Sequence, residues 1–294
     1  MNILEKAKST GLIVDGGMGS MLIREGLPTG KPSEYWNLER PDIIERIQRQ
    51  YVEAGSQVLT TNSFGASPLK LQKGELEKDC AQINRRAVEI ALQAAGKSVF
   101  VAGDIGPSGE MLQPFGLISK EEMIENFAEQ AKHLDSAGVH LFIVETMFDL
   151  NEALTALKGI RQVSAKPIFA TLTFEKNPAG FATIMGNQVD ASMQALVHHG
   201  AAAVGANCSI GSADMLELAR RIRASVRELV IIQPNAGIPQ FRDKVVIYPE
   251  DVEHYSDNIR KIKQLGVEIV GGCCGTTPDY IRSIVHKINR NAAP

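Results

Sequence analysis

The stretch VEIVGGCCG, residues 267 to 275, ends an apolar run with two adjacent cysteines between glycines. Neighbouring cysteines do not reach disulfide geometry without strain, so Cys273 and Cys274 are expected to be free thiols on a turn. Cys208, in GANCSIG, also ends an apolar run. Three sulfurs at the ends of two strand-like segments predict a metal site with one position open.

The rest of the chain repeats the same unit, an apolar run followed by an amphipathic helical pattern. Eight such runs occur, at 11–17, 56–64, 98–106, 139–147, 166–174, 202–209, 229–237 and 267–275. This alternation predicts an α/β fold with a parallel sheet, and eight units most simply close into a (β/α)8 TIM barrel. We therefore expect a single domain over residues 1–294, with a doubly wound sheet as the alternative fold.

Local signals indicate where the helices begin and end. Pro41 suits the first turn of a helix that Gly55 closes, and Ser119 with Glu122 forms a predicted capping box. Cys80 lies inside a helical pattern and is interpreted as a structural thiol.

Composition restricts the classes of partner. The net charge of −3 gives no basic face for nucleic acid. The segment MNILEKAKSTG lacks the apolar core of a signal peptide, and no stretch approaches the roughly 18 apolar residues of a membrane span. We therefore expect a cytoplasmic protein that binds neither nucleic acid nor membrane, in a compartment that keeps thiolates available for metal.

The polar residues of interest fall at the carboxyl ends of the predicted strands, where active sites of such barrels are built. They are Asp15, Asn62, Asp104, Glu145, Cys208, Asn235, Cys273 and Cys274. The sixth and eighth strands are second neighbours around a barrel, so Cys208 is expected to approach the cysteine pair across its mouth.

Three soft thiolates favour Zn²⁺ over Cu(I) or an iron–sulfur cluster. Two alternatives remain: the cysteines are small buried packing residues, or they form a closed structural zinc site. Asn235 could supply a provisional fourth ligand through its amide oxygen, which is easily displaced. Zinc held by three thiolates is a poor Lewis acid for water, yet it binds and deprotonates an incoming thiol. The predicted reaction is therefore alkylation of a thiol substrate.

The substrate is predicted to be an amino acid bearing a thiol. Asp15 and Glu145 could hold its ammonium group, although Asp15 could instead form a turn and Glu145 a cap or a buried pair. Backbone amides of the glycine-rich segment can approach a carboxylate, because glycine carries no side chain. The residues of that segment are Gly16, Gly17, Gly19 and Ser20.

Seven motifs make the chain resemble the homocysteine S-methyltransferase family over essentially its whole length. They are DGGMGS at 15–20, EAGSQVLTTNSFGAS at 53–67, GDIGPSGE at 103–110, VETMFDL at 144–150, GANCSIG at 205–211, QPNAG at 233–237 and GGCCGTTP at 271–278. Within the family the chain most resembles the homocysteine-binding barrel of cobalamin-dependent methionine synthase. The resemblance implies zinc ligands at Cys208, Cys273 and Cys274, which act in catalysis through zinc. It also implies that Asp15 and Glu145 hold the homocysteine amino group and that Asn235 caps the metal when substrate is absent.

The identity of the methyl donor is the part of the function that the sequence determines least. Betaine-using members carry a tyrosine after the residue corresponding to Glu145, whereas this chain has Thr146. The sequence to Pro294 contains no folate-binding or cobalamin-binding domain, so we expect the donor to be a free small molecule or, preferably, methylcobalamin on a separate corrinoid protein. Trp36 could instead lie over an onium donor such as S-methylmethionine or betaine by cation–π attraction, or simply pack at the rim.

The leading hypothesis is zinc-dependent methyl transfer to homocysteine, which gives methionine. The same chemistry on another thiol or selenol, such as selenohomocysteine, remains open. A redox-sensing zinc or thiol module would leave the paired carboxylates without a role. A phosphate-binding barrel enzyme would need free backbone amides where this chain carries cysteines.

Overall fold

The computed structural model describes residues 2–28, 30–242 and 245–290. Its main sheet has eight parallel strands: β1 Leu12–Ile13, β2 Val58–Thr60, β3 Phe100–Ile105, β4 Leu141–Met147, β5 Ile168–Leu172, β6 Ala203–Gly211, β7 Leu229–Asn235 and β8 Ile269–Val270. Each strand pairs with its neighbours in the sequence, and β1 also pairs with β8. A bridge between Val14 and Val58 joins β1 to β2, so the barrel is nearly closed. The TIM-barrel prediction is confirmed, and the alternative of a doubly wound sheet is wrong.

Helices lie between the strands and cover the outside of the barrel. They are α1 Ile3–Thr10, α2 Met18–Arg24, α3 Trp36–Glu39, α4 Pro41–Ala54, α5 Pro68–Gln72, α6 Cys80–Ala95, α7 Lys120–Ala137, α8 Leu150–Val163, α9 Val189–His198, α10 Ser212–Ser225, α11 Val252–Gln264 and α12 Pro278–Arg290. Short 3-10 turns occur at Ser33–Tyr35 and Glu77–Asp79, and hairpins at Glu175–Asn177 with Gly180–Ala182 and Gln240–Arg242 with Val245–Ile247. No helix among the described residues is long and apolar enough to cross a membrane.

The predicted helix signals are present. The Ser119 side chain accepts from the Glu122 amide, and the Glu122 carboxylate accepts from the Ser119 amide, so the capping box is confirmed. Helix α4 begins at Pro41 and ends at Gly55, whose φ of 103° is a left-handed conformation that suits glycine.

The barrel interior is filled by apolar side chains from several strands, including the fully buried Phe169, Ile231 and Ile269. Ile3 and Ala7 of α1 belong to the same cluster, which places α1 against the amino ends of the strands. The prediction did not include this helix. Helix α1 therefore covers the amino ends of the strands, and the opposite end of the barrel, at their carboxyl ends, is here called the mouth.

The predicted strands at 11–17 and 267–275 are longer than the observed ones. Only Ile269–Val270 belong to β8, because the glycines that follow leave the sheet. The Cys273 amide still bonds to the Pro234 carbonyl at 2.9 Å, and the chain then turns, with the Thr276 amide on the Cys273 carbonyl. The cysteine pair therefore lies on a turn at the mouth. The expectation of one domain over 1–294 stays a prediction, since residues 1, 29, 243–244 and 291–294 lie outside the described part.

Candidate active site at the barrel mouth

A cavity of about 300 Å³ opens at the carboxyl ends of the strands. Nine of the predicted site residues line it: Asp15, Gly16, Gly17, Gly19, Ser20, Glu145, Cys208, Cys273 and Cys274. Glu145 lies within β4 and Cys208 within β6, the other residues lie on the segments that follow β1 and β8, and the barrel brings them together. Asn235 and Trp36, which were also predicted, are not among its lining residues.

Cys208, Cys273 and Cys274 form one side of this cavity, here called the sulfur wall. Their sulfur atoms all lie within 4.8 Å of one another, and Cys208 Sγ is 3.9 Å from Cys274 Sγ. Two sulfurs bound 2.3 Å from a tetrahedral zinc ion are separated by roughly 3.8 Å. The residues present therefore fit a three-sulfur zinc site.

The charge of the sulfur wall points to a cation. Hydrogen bonds from Cys273 and then Cys274 lower the pKa of the Cys208 thiol to about 3. The bond to Cys208 in turn raises the pKa of Cys274 to about 12 and that of Cys273 well above its usual range. Without metal, the three thiols thus carry one negative charge between them. All three ionise together only when a cation compensates the charge.

Local backbone irregularities occur in β4 and β6, the two strands that flank β5. Cys208 and Ser209 have φ values of 61° and 60°, and the pairing of β6 with β7 shifts register there. Thr146, directly after Glu145, has φ of 61° where the pairing of β4 with β5 shifts. Left-handed conformations cost non-glycine residues about 1–3 kcal/mol each and cluster at functional sites.

Asn207 connects these two irregular segments. Its Oδ1 accepts from the Thr146 amide at 2.8 Å and from the Thr171 hydroxyl at 2.7 Å. Its Nδ2 donates to Thr146 Oγ1 at 2.8 Å and lies 3.6 Å from Cys273 Sγ. Asn207 is fully buried. It therefore fixes β4, β5 and the cysteine turn relative to one another, a role that the sequence pattern did not reveal.

The glycine-rich segment after β1 holds the cysteine turn. The Gly275 amide donates to Ser20 Oγ at 2.8 Å, and the Gly17 amide donates to the carbonyl and hydroxyl oxygens of Thr276. The Gly17 amide is thus engaged by Thr276, and a substrate carboxylate would have to compete for it. Helix α2 begins at Met18 without a side-chain cap, so the next amides face no capping group.

Three carboxyl groups, those of Asp15, Asp104 and Glu145, line the same cavity and are here called the acid wall. Asp15 Oδ2 accepts from the Thr60 amide at 2.8 Å, and its Oδ1 accepts from the Thr60 hydroxyl at 3.1 Å. Asp104 is 5% exposed, and its Oδ1 has no hydrogen-bond partner within the described part of the chain. The sequence had placed Asp104 at a strand end without giving it a role.

Burial keeps protons on the acid wall. It raises the pKa of Asp15 to about 7, against the opposing hydrogen bonds from Thr60. Burial, the Cys208 thiolate and Asp15 raise the pKa of Glu145 to about 8. The pKa of Asp104 is also raised, because of burial and the neighbouring Glu145. A cationic group that entered the cavity would favour the ionised carboxylates.

The two predicted residues outside the cavity have different surroundings. Asn235 is 3% exposed at the end of β7, its side chain hydrogen-bonds Cys208, and its Oδ1 has no partner among the described residues. Trp36 is 5% exposed within the main hydrophobic core, and the cation over its ring is Arg40, 5.8 Å from the centroid. The structure therefore brings Asn235 to the sulfur wall and gives Trp36 the environment of a packing residue.

Tyr248 is a further residue that the sequence analysis missed. Its ring lines the cavity, and its hydroxyl hydrogen-bonds Cys274. A β-carbon added to Gly275 would lie 2.2 Å from Tyr248 Cγ, and Gly275 has φ of 83°. Glycine at this position therefore lets the ring close over the cysteine turn.

The family model described as homocysteine S-methyltransferase matches residues 12–288. The chain belongs to the homocysteine S-methyltransferase family. The predicted family and the predicted enzyme class, a methyltransferase, are thereby confirmed.

Individual relatives agree with this membership. Methionine synthases of Mycobacterium leprae (strain TN) and Mycobacterium tuberculosis (strain ATCC 25618 / H37Rv) are 29% and 28% identical, over 98% and 96% of this chain. The chain spans about a quarter of the length of either protein, 25% in both cases. The metallated homocysteine methyltransferase MmuM of Escherichia coli has a TM-score of 0.80 at 20% identity, covering 95% of this chain and 97% of that one. At this identity the likeness supports the fold alone.

Proposed function

We propose that the protein transfers a methyl group to the sulfur of homocysteine, which gives methionine, with zinc held by Cys208, Cys273 and Cys274. The observation that carries this proposal is the pairing of the sulfur wall with the acid wall across one cavity of about 300 Å³. An amino acid with a terminal thiol has a sulfur for the first wall and an ammonium group for the second. Small-molecule sites combine such an enclosed shape with a few placed polar groups.

The sulfur wall would supply three ligands and leave one position for the substrate sulfur. When bound, zinc deprotonates a thiol and holds its sulfur as a nucleophilic thiolate near neutral pH. Asn235 is adjacent to Cys208 and has an unpartnered Oδ1, which supports its proposed role as the fourth ligand in the resting state.

The acid wall would bind the ammonium group of homocysteine. Asp15 and Glu145 were proposed for this role from the sequence, and Asp104 adds a third carboxyl group with an unpartnered oxygen. Raised pKa values of about 7 and 8 mean that Asp15 and Glu145 hold protons in the empty site. An incoming ammonium would make charge-assisted hydrogen bonds with the ionised forms.

The substrate carboxylate would lie against the glycine-rich segment. The uncapped amides at the start of α2 include those of Gly19 and Ser20. A β-carbon added to Gly16 would lie 2.7 Å from Thr276 Oγ1, and one added to Gly17 would lie 2.7 Å from the Cys273 carbonyl, so a larger residue would displace the turn. Gly16 and Gly17 thus act mainly by letting the segment and the cysteine turn approach closely.

For the methyl donor we propose a methyl-corrinoid, methylcobalamin, presented by a protein partner. Support comes from exposed apolar side chains on loops that follow β1, β3, β5 and β7: Ile23, Phe115, Leu117, Ile184, Ile238 and Phe241, which are 60% to 89% exposed. Loops after the strands surround the mouth of a TM barrel. An apolar rim of this kind suits a macromolecular surface better than a free small donor. The burial of Trp36 also removes the aromatic contact that favoured an onium donor.

The deciding experiment supplies the purified zinc-loaded protein and homocysteine with methylcobalamin, S-methylmethionine or betaine in separate reactions. Methionine formation from methylcobalamin alone is the expected result. Efficient turnover with either onium would overturn the corrinoid proposal and leave the acceptor chemistry intact. Failure with every donor, together with no zinc-dependent binding of homocysteine, would overturn the methyltransferase proposal and favour a redox-responsive thiol module.

A further inference from the structure

A second group of metal-ligating side chains lies outside the mouth, between α6 and α7. The sulfur of Cys80, a carboxylate oxygen of Glu129 and a ring nitrogen of His133 all lie within 4.8 Å of one another. Cys80 is the first residue of α6, while Glu129 and His133 are four residues apart on α7. Residues four apart share one face of a helix, so α7 presents both to the same point.

Glu129 and His133 are the two more accessible residues of this group. Among the described residues, no hydrogen bond or ion pair engages the Glu129 carboxylate or the His133 ring. Glu129 is exposed and His133 is half-buried, so the group opens to solvent on one side. An ion therefore has an entry path.

Cys80 forms the buried side of the group, at 2% exposure. Its thiol donates to the Ala66 carbonyl at 3.4 Å, and the Asn84 amide nitrogen lies 3.5 Å from its sulfur. A donor directed at the sulfur stabilises the thiolate, as residues behind metal ligands generally do. On metal binding the thiol proton would leave to solvent and the metal–sulfur bond would replace it.

We propose that Cys80, Glu129 and His133 form a second zinc site on the helical layer, with water in the fourth position. Sulfur, imidazole nitrogen and carboxylate oxygen are the three donor types that zinc accepts. A thiolate and a carboxylate neutralise the charge of Zn²⁺, and a neutral site suits a half-buried position. The water ligand and the exposed carboxylate make this site weaker than the three-sulfur site.

Occupation would fix the connection between β2 and α6. Within that connection the Leu69 amide donates to Asn126 Oδ1 of α7, and the Ala66 carbonyl accepts from Asn84 Nδ2 of α6. Asn62 and Phe64, at its start, line the mouth cavity. The second site would thus clamp a segment that shapes the substrate cavity.

The experiment uses the chain of residues 1–294 with zinc in the three-sulfur site, dialysed to remove loosely held metal. Titration with Co²⁺ should show one further equivalent with thiolate-to-cobalt charge-transfer absorption, and Zn²⁺ should displace it. His133→Gln and Glu129→Gln should lower the affinity for this second equivalent of Co²⁺. Because each variant removes a ligand, the loss should exceed the roughly 10- to 100-fold caused by removing a residue that lies behind a ligand. The first zinc should stay in place in both variants.

Glu125→Gln is the matched control, because Glu125 is exposed one turn earlier on α7. It should bind the second equivalent as the wild type does. Cys80→Ser should remove the charge-transfer band, but the buried position can affect folding, so His133→Gln carries the decision. A wild type that takes up no further equivalent would overturn the proposal. Equal uptake by His133→Gln and the wild type would do the same.

Discussion

The sulfur wall and the acid wall line one cavity, and each groups acidic side chains whose negative charge, once they ionise, the protein leaves uncompensated. Three thiols lie within 4.8 Å of one another, and the carboxyl groups of the buried Asp15 and Asp104 and the half-buried Glu145 line the same cavity. The two walls differ in what would neutralise them. A resident metal suits the sulfur wall, whereas the acid wall has an unpartnered carboxylate oxygen that would accept the ammonium group of the proposed substrate.

This difference separates the two functions of the site. The sulfur wall would bind its cation in every state of the enzyme, while the acid wall would bind one only with substrate. Changes in the first should therefore abolish metal and activity together. Changes in the second should alter substrate affinity and the stability of the empty protein while leaving the metal in place.

The largest effect is expected from the sulfur wall. Cys273→Ala or Cys208→Ala should lose the tightly held zinc and with it all turnover, because two sulfurs do not replace three. Elemental analysis after dialysis measures this, and His133→Gln is the control that should keep the mouth zinc. Full zinc occupancy in Cys273→Ala or Cys208→Ala would show that the sulfur wall does not hold a resident metal, and the contrast with the acid wall would fail.

The next effect concerns the acid wall in the empty protein. The pKa of Asp15 rises on folding from its usual value of 3.8 to about 7, so the folded state binds the extra proton between those values. Stability is therefore lost as pH rises through this window. Asp15→Asn should recover up to about 4 kcal/mol at pH 8 and little at pH 4. Thermal unfolding without substrate, measured at both pH values, tests this prediction. An equal change in stability at pH 4 and pH 8 would contradict a charge effect.

Substrate affinity gives a smaller change. Glu145→Gln should weaken homocysteine binding by about 1.5–3 kcal/mol, roughly tenfold to a hundredfold, because it removes a charge-assisted hydrogen bond. Titration calorimetry measures it, with retained zinc as the first control. The desamino analogue 4-mercaptobutyrate should bind both proteins equally. An equal loss of affinity for homocysteine and 4-mercaptobutyrate would show that Glu145 does not bind the ammonium group.

The smallest effect is expected at Trp36. Its ring is buried in the core under Arg40, so Trp36→Leu should leave the KM for any donor nearly unchanged. Loss of a cation–π contact with an onium would instead cost roughly 0.5–2 kcal/mol, about 2- to 30-fold. Steady-state kinetics with S-methylmethionine and methylcobalamin would separate these outcomes.

The features that follow local periodicity were predictable. The alternation of apolar runs and helices gave the barrel, and the ends of those runs placed nine residues in one cavity. The capping box at Ser119 and Glu122 is a local pattern of the same kind. Each of these depends on residues a few positions apart.

What escaped prediction depends on contacts between distant residues. Asn207 bonds to Thr146, 61 positions away, and lies near Cys273, 66 positions away, so its role appears only in the closed barrel. The left-handed conformation of Cys208 could not be predicted, because cysteine usually avoids this conformation and no sequence pattern marks it. The surroundings of Trp36 also could not be predicted, because an aromatic residue in a loop pattern does not reveal which way its ring points.

The bonds that hold the cysteine turn also set an order of assembly during synthesis. Gly17 bonds to Thr276 and Ser20 to Gly275, across separations of 259 and 255 residues. A ribosome therefore completes Asp15, Glu145 and Cys208 long before it makes the cysteine pair, and the emerging chain carries a single mouth thiol. Closure of the barrel seam must follow translation of residue 276, and zinc insertion at the proposed site would follow it as well. Such long-range closure is slow, and cellular zinc supply would then influence how much of the newly made protein reaches its final state.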